Sequence, residues 1–306
     1  MINVGITGGE TAAAGELVRL LIYHPDVKLQ WIDSDTAYGR VDCFHKGLLG
    51  ECDMEFNNGQ YDLTDTDVVF CCIEPSQHIL DYQRGNIDYE DEEPLRIIDL
   101  SRTMTTAQGY TYGLCEINRK FMVHNCYHVV LPSPQAMAVL LPLVPLAKNL
   151  LLNGDINIEL QCGSFTTPIS NDELNKELHA VITALQNSFE GKFNITCGSN
   201  AHPRELSARL ITSCNIDLYT LDELIDQYYD DHNFTFLTSQ QVDCHDVINT
   251  NKCLLNTSLN TGKVTLTSVI DSPLKGIAGN AVHVMNLLFG LHEKAGLALK
   301  AQVLLS

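Results

Sequence analysis

Residues 2–23 read INVGITGGETAAAGELVRLLIY. Ile2 to Thr7 is a short apolar run with the make-up of a buried strand. The turn Gly8-Gly9-Glu10-Thr11 follows. From Ala12 to Tyr23 the apolar residues Leu17, Leu20 and Leu21 recur at helical spacing until His24-Pro25 ends the segment. A strand, a glycine-rich turn and a helix in that order aim backbone N–H groups and the positive end of a helix at an anion. Gly5, Gly8 and Gly9 suit a backbone that turns sharply and meets a ligand closely. The stretch reads as the first unit of a domain that cradles a dinucleotide pyrophosphate, with a ligand-free βα turn as the plain alternative.

Reading outward, further strands fall at the spacing of an α/β domain. Lys28–Ile32 is the second. Asp67–Ile73 (DVVFCCI) is a continuous apolar run suited to a strand covered on both faces, and Leu95–Leu100 and His128–Leu131 follow. Strands alternating with helical segments predict a Rossmann-like, doubly wound parallel sheet. At the end of the second strand, Asp33 suits a free ribose 2′-hydroxyl and Ser34 a 2′-phosphate, so NAD and NADP both stay open. The pattern changes near Leu150. Asp155–Cys162 alternates as a strand and Asp172–Ser188 is an amphipathic helix. Ile211–Leu218 reads as a strand and Leu221–Tyr229 as a helix. Cys253–Asn256 and Lys263–Val269 read as antiparallel strands joined by a turn over Ser258–Gly262, and Gly279–Phe289 as a closing helix. The expected division is 1–132 with 276–306 as a nucleotide-binding domain, and 133–275 as an α+β domain of catalytic or dimerisation type with a mixed or antiparallel sheet.

Composition narrows the function classes. The chain has 306 residues, 45% hydrophobic and 19% charged, which is a globular make-up with room for two domains. Nineteen basic against 38 acidic residues give a net charge of −19, which repels a phosphate backbone and argues against nucleic acid as a partner. The acidic run Asp88–Glu93 reads as a solvated loop. Eleven cysteines, an odd number with no CxxC pair, argue against a zinc site or a disulfide framework, so no metal is expected. The N-terminus lacks the pattern of a signal peptide, and the longest apolar stretch, Ala136–Leu146, is too short to span a bilayer. The expectation is a cytoplasmic protein with no membrane partner.

Several blocks together resemble one family. They are GITGGETAAAGELVRLLIYHP (5–25), HKGLLGECD (45–53), IIDLS (97–101), YGLCEINR (112–119), NTNKCLL (249–255) and DSPLKGIAGNAVHVMNLLFGL (271–291). They resemble N-acetyl-γ-glutamyl-phosphate reductase of arginine biosynthesis, in the type that uses N-acetyl or N-succinyl intermediates. The resemblance implies a semialdehyde-dehydrogenase fold, NADP as cofactor and a homo-oligomer, dimer or tetramer. It also implies a cysteine thiolate that attacks an acyl phosphate, in an Asn-Pro-Gly-Cys loop, with a histidine base in a His-x-Pro-Glu-Ile segment. Cofactor contacts would fall on Gly5, Gly8, Gly9, Thr11, Ser34, Gly163, Ser164, Gly279 and Asn280. Substrate contacts would fall on Ser101, Glu116, Arg119 and Arg204.

The chain departs from the family where the chemistry should be. Leu131-Pro132-Ser133-Pro134 falls on the cysteine loop, so Pro134 takes the nucleophile position. Asp172–Leu178 falls on the histidine segment, with Leu174 at the base position. Arg102-Thr103-Met104-Thr105 replaces an Asp and a substrate-gripping Arg, Cys162–Thr167 replaces a glycine-rich turn, and Thr11 stands for the third glycine of the nucleotide loop. The expectation is a homologue whose nucleophile and base are lost. It would bind NADP weakly or not at all and act as a nucleotide-binding or partner protein, associating with itself or with an active reductase. The alternative is an active NAD(P)-dependent oxidoreductase with a non-thioester mechanism, using His202 or Tyr112 as proton donor, or with Cys162 as a relocated nucleophile. Cys126, Cys71 and Cys72 read as ordinary thiols, Ser133 as a hydroxyl without a base, and His283 as structural. Glu116 with Arg119 reads as a packing and ion-pair unit before a substrate contact.

Overall fold

The computed structural model describes residues 1–85, 94–213, 216–260 and 262–301. The acidic run 88–93 lies outside them. The chain divides into two compact units, Met1–Pro132 with Ile277–Ala298, and Ser133–Gly276, to which Leu299 also belongs.

The first unit runs β1 (Ile2–Thr7), α1 (Ala12–Leu21), β2 (Val27–Ile32), a single turn α2 (Val41–Phe44), β3 (Val68–Cys71), α3 (Gln77–Gly85), β4 (Arg96–Asp99), β5 (Thr111–Tyr112), α4 (Cys115–Asn125) and β6 (His128–Val130). Its six strands lie in the order β2-β1-β3-β4-β6-β5, and every pair is parallel. Every residue of β3 is buried, as a strand covered on both faces requires. This is the doubly wound sheet the strand spacing predicts.

The second unit runs α5 (Pro134–Lys148), β7 (Asn153–Cys162), α6 (Asn171–Leu185), β8 (Phe193–Ser199), β9 (Glu205–Ser213), α7 (Leu218–Tyr229), β10 (Thr235–Leu237), β11 (Cys253–Asn260) and β12 (Lys263–Asp271). Its sheet has the order β10-β11-β12-β9-β7-β8. The β11, β12, β9 and β7 neighbours are antiparallel, and the two edge pairs are parallel. Alternation buries Ile156, Ile158 and Leu160 of β7 and Leu206, Ala208 and Leu210 of β9 on one face. The expected strand over 211–218 is corrected. The strand is Glu205–Ser213, and Asp217 opens α7 by accepting the Thr220 N–H at 3.0 Å. An N-cap acid ends any extended reading at that point. The hairpin is also tighter than expected, since β11 continues to Asn260 and β12 begins at Lys263.

Helix α5 is buried from Pro134 to Ala147 and contains two internal prolines, Pro142 and Pro145. A proline lacks the N–H that bonds the carbonyl four residues earlier, so Pro142 and Pro145 orphan the carbonyls of Ala138 and Leu141. Two hydroxyls supply the missing donors. Ser268 of β12 donates to Ala138 O at 2.6 Å, and Tyr229 of α7 donates to Leu141 O at 2.5 Å. Buried carbonyls need such partners, so the prolines fix where β12 and α7 dock on α5.

The chain then returns to the first unit with α8 (Gly279–Leu288), all ten of whose residues are buried. Asn280 Nδ2 donates to Gly113 O at 2.8 Å, and Asn286 Oδ1 stands 3.0 Å from His24 Nε2, so polar side chains hold α8 against α4 and the end of α1. No helix among the described residues is long and apolar enough to cross a membrane.

Candidate functional site

The glycine turn between β1 and α1 lies where the sequence places it, with its backbone donors already partly assigned. Gly8 sits at φ +66°, and a Cβ there would lie 2.7 Å from Ile73 Cγ2, so glycine is required twice over. Gly9 N–H bonds Asp33 O at 2.8 Å, its carbonyl meets His45 Nε2 at 2.6 Å, and Thr11 N–H bonds Gly8 O at 2.9 Å. Thr11 is the N-cap of α1, its Oγ1 accepting the Ala14 N–H at 3.2 Å. Helix geometry leaves the N–H groups of Ala12 and Ala13 without intrahelical partners. Gly5 has a different duty, because a Cβ there would stand 2.0 Å from the Trp31 ring. Trp31 lies across the strand at that point and stacks on Tyr61 with ring centres 4.2 Å apart.

At the end of β2, Asp33 Oδ1 accepts the Gly59 N–H at 2.6 Å. Ser34 is buried and donates its hydroxyl to Glu10 Oε2 at 2.7 Å, while its Oγ accepts the N–H groups of Thr36 and Ala37. Glu10 was not among the expected site residues, although an acid inside a phosphate-type loop was a legible signal. Ser101 donates to the buried Asp99 at 2.5 Å, and Asp99 also accepts the Arg102 and Met104 N–H groups. Arg102 therefore lies in a tight turn, at φ +63°. Glu116 is buried in the first turn of α4. Arg119 pairs with Glu293 at 2.5 Å, and Glu293 also meets His283 Nε2 at 2.7 Å, making a three-member network. Gly279 and Asn280 are buried at the start of α8.

In the second unit, Pro134 is the first residue of α5, the position where proline is best tolerated in a helix. Ser133 is its N-cap and accepts the Ala136 N–H at 3.1 Å. Ser133 also donates its N–H to Glu177 Oε1 at 2.9 Å and its hydroxyl to Glu177 Oε2 at 2.6 Å. A Cβ at Gly276 would stand 2.9 Å from Pro134 Cβ, so the ring lies on bare backbone. Leu174 is buried and shares one face of α6 with Leu178 and Ile182.

Cys162 ends β7 half-buried, and burial, with the nearby Cys197 adding, pushes its thiol up to about 11. Gly163 follows, where a Cβ would meet the carbonyl oxygens of His202 and Pro203 at 2.3 Å, so this corner is closed by backbone contact. Ser164 is exposed. Burial also raises the thiols of Cys71, Cys72, Cys126, Cys197 and Cys244, with Cys72 at about 12. Each resolved shift is away from thiolate. Arg204 is bonded to the fully buried Asp271, Nε to Oδ2 at 2.9 Å and Nη2 to Oδ1 at 3.1 Å. Asp271 further accepts the Asn249 and Leu274 N–H groups. His202 Nδ1 accepts the Arg204 N–H at 3.3 Å.

The two units together define a class. The described chain superposes on aspartate semialdehyde dehydrogenase II complexed with ASA from Vibrio cholerae with a TM-score of 0.70 at 13% identity, covering 95% of this chain and 98% of that one. A probable aspartate-semialdehyde dehydrogenase from Pseudomonas aeruginosa gives 0.66 at 15%, covering 94% and 98%. The fold is that of the semialdehyde dehydrogenases. No family model matches the chain. Two curated relatives, both named N-acetyl-gamma-glutamyl-phosphate reductase, come from Parabacteroides distasonis, at 35% identity, and Phocaeicola vulgatus, at 36%; each match covers 98% of this chain and 99% of the relative. The chain belongs to the N-acetyl-gamma-glutamyl-phosphate reductase family.

Proposed function

We propose that the chain is a catalytically degenerate member of this family, a nucleotide-binding or partner protein that keeps the scaffold without the acyl-phosphate reduction. One observation carries the reading: the first residue of α5 is a proline ring lying on Gly276, directly after a serine whose N–H and O–H both bond Glu177. In the thioester route a sulfur at that position attacks the acyl carbon and phosphate leaves. Hydride then reduces the thioester, and sulfur departs again as the semialdehyde forms. Pro134 has no atom that can attack or leave. Leu174 offers no proton acceptor, and the buried thiols are poor thiolates.

The residues of the nucleotide-type loop fit a pyrophosphate, through the Ala12 and Ala13 N–H groups at the start of α1. When bound, a nicotinamide cofactor would supply hydride. The residues do not fit a 2′-phosphate, because the Ser34 hydroxyl is already given to a carboxylate, Glu10. NADP is then held weakly or not at all. Association becomes the working activity in the cytoplasm, with copies of the chain or with an active reductase subunit.

The test is turnover by the purified protein with NADPH and N-acetyl- or N-succinyl-γ-glutamyl phosphate. The expected result is no aldehyde. Turnover that a single substitution at Cys162 or His202 abolishes would overturn the reading. The second reading, an oxidoreductase without a thioester step, draws on the retained Gly8-Gly9 turn at the N-terminus of α1. Fluorescence titration with NADH and NADPH decides it, since no binding at millimolar concentration leaves it without a cofactor.

A further inference from the structure

A separate group of donor atoms gathers in the second unit, at the start of β9. Asp243, Cys244 and His245 are consecutive, and their carboxylate oxygen, Sγ and ring nitrogen all lie within 4.8 Å of one another. The backbone holds the turn in this form. Asp243 Oδ1 accepts the His245 N–H at 2.9 Å, and Asp246 Oδ2 accepts the Asp243 N–H at 3.3 Å. Cys244 is buried, while Asp243 and His245 are exposed.

Two more donors arrive from a segment far back in the chain. Burial, and then the nearby Glu205 carboxylate, push the Cys244 thiol up, so Glu205 is a neighbour of the sulfur. The His202 ring stands edge-on to the His245 ring, with centres 6.1 Å apart. Because His202 Nδ1 accepts the Arg204 N–H, Nε2 is the nitrogen left to bind. The nearby cation, Arg204, is committed to Asp271. A sulfur, an imidazole and a carboxylate thus meet at one corner of a strongly acidic chain, with a second imidazole and a second carboxylate beside them. Carboxylates gathered around a thiol repel one another as bare groups and become favourable around a cation.

We propose that Cys244, His245 and His202, with a carboxylate from Asp243 or Glu205, form a binding site for a divalent transition metal of zinc type. The mixed sulfur, nitrogen and oxygen set selects a borderline-soft ion over magnesium or calcium. Zn–S near 2.3 Å and Zn–N near 2.0 Å put tetrahedral donors roughly 3.3–3.8 Å apart, so the Asp243, Cys244 and His245 donors, within 4.8 Å of one another, must close by roughly 1 Å through side-chain rotation. Two imidazoles on one such ion hold their ring centres roughly 5–6 Å apart, close to the separation seen. Cys244 binds as thiolate and its proton leaves to solvent. The metal would staple the 243–246 turn to the start of β9. Cysteine spacing predicts no metal here because the donors come from two segments that only folding brings together.

The test uses the full chain, stripped with a chelator and titrated first with Co²⁺ and then with Zn²⁺. The expected result is one equivalent of Co²⁺ with visible tetrahedral bands and a thiolate-to-cobalt charge-transfer band, displaced by Zn²⁺. Cys244→Ser should remove the charge-transfer band. His245→Ala and His202→Ala should each weaken binding by roughly 10–100-fold. A Cys43→Ser/Cys197→Ser protein, which lacks two exposed thiols, should bind as wild type. No charge-transfer band at saturating cobalt, or the same band in Cys244→Ser, overturns the proposal. If Cys244→Ser fails to fold, the exposed His245 carries the test, and unchanged affinity in a folded His245→Ala protein overturns it equally.

Discussion

Tyr229→Phe removes one oxygen from a buried contact and nothing from the shape of the core. The lost hydroxyl is the donor to Leu141 O, at 2.5 Å, and that carbonyl has no helical donor because residue 145 is proline. Leaving a buried carbonyl unsatisfied costs about 1–3 kcal/mol. For a unit of this size each kcal/mol moves the melting temperature by about 2–4 °C, so a fall of roughly 2–12 °C is expected. The cause is isolated by a double-mutant cycle with Pro145→Ala. An alanine at 145 restores the N–H that Leu141 O lacks, so Tyr229→Phe in that background should be nearly silent, a coupling of about 1 kcal/mol or more. Urea and thermal unfolding followed by circular dichroism provide the four stabilities. Equal losses in both backgrounds, or a loss below about 0.5 kcal/mol in the first, would refute the idea that the hydroxyl replaces the proline's missing donor.

Three further outcomes follow from the site. Glu10→Ala removes a carboxylate from the Ser34 hydroxyl and should tighten NADPH by about tenfold, one like charge near a phosphate being worth about 1–2 kcal/mol; equal changes for NADH and NADPH in the fluorescence titration would contradict it. Burial, and then the positive Arg96, push His128 from 6.5 down to about 4, so the folded state binds fewer protons than the unfolded one between those values. Its stabilising contribution is complete above pH 6.5 and is lost as pH falls toward 4, by about 3 kcal/mol at most. Urea midpoints against pH should show the wild type losing more than His128→Asn across that window, and parallel curves would sink the assignment. Cys162, with its thiol near 11, should be alkylated by iodoacetamide at pH 8 far more slowly than the exposed Cys43; peptide mapping that finds Cys162 among the first sites labelled would show a nucleophile after all.

The parts of the fold legible in the sequence were those with a strong local period. The opening strand, glycine turn and helix stand where the pattern of apolar residues puts them, as do the apolar strands β3 and β4. Short strands such as β5 and β10 carry too few residues for a period to emerge. The strand ending at Ser213 was misplaced because the apolar Ile216 and Leu218 extend its pattern into a helix that Asp217 caps. Glu177 was legible only as one more acid on α6, yet it holds the backbone and hydroxyl of Ser133.

Residue type alone decides what a position can do chemically, which is why Pro134 and Leu174 by their identity settle the absence of a thiol and an imidazole at those positions. Residue type does not decide which polar group has a partner. Ser34 is taken by Glu10, Arg204 by Asp271, and the carbonyls freed by Pro142 and Pro145 by hydroxyls on β12 and α7. Those pairings join segments distant in the chain, and only packing brings them within hydrogen-bond reach.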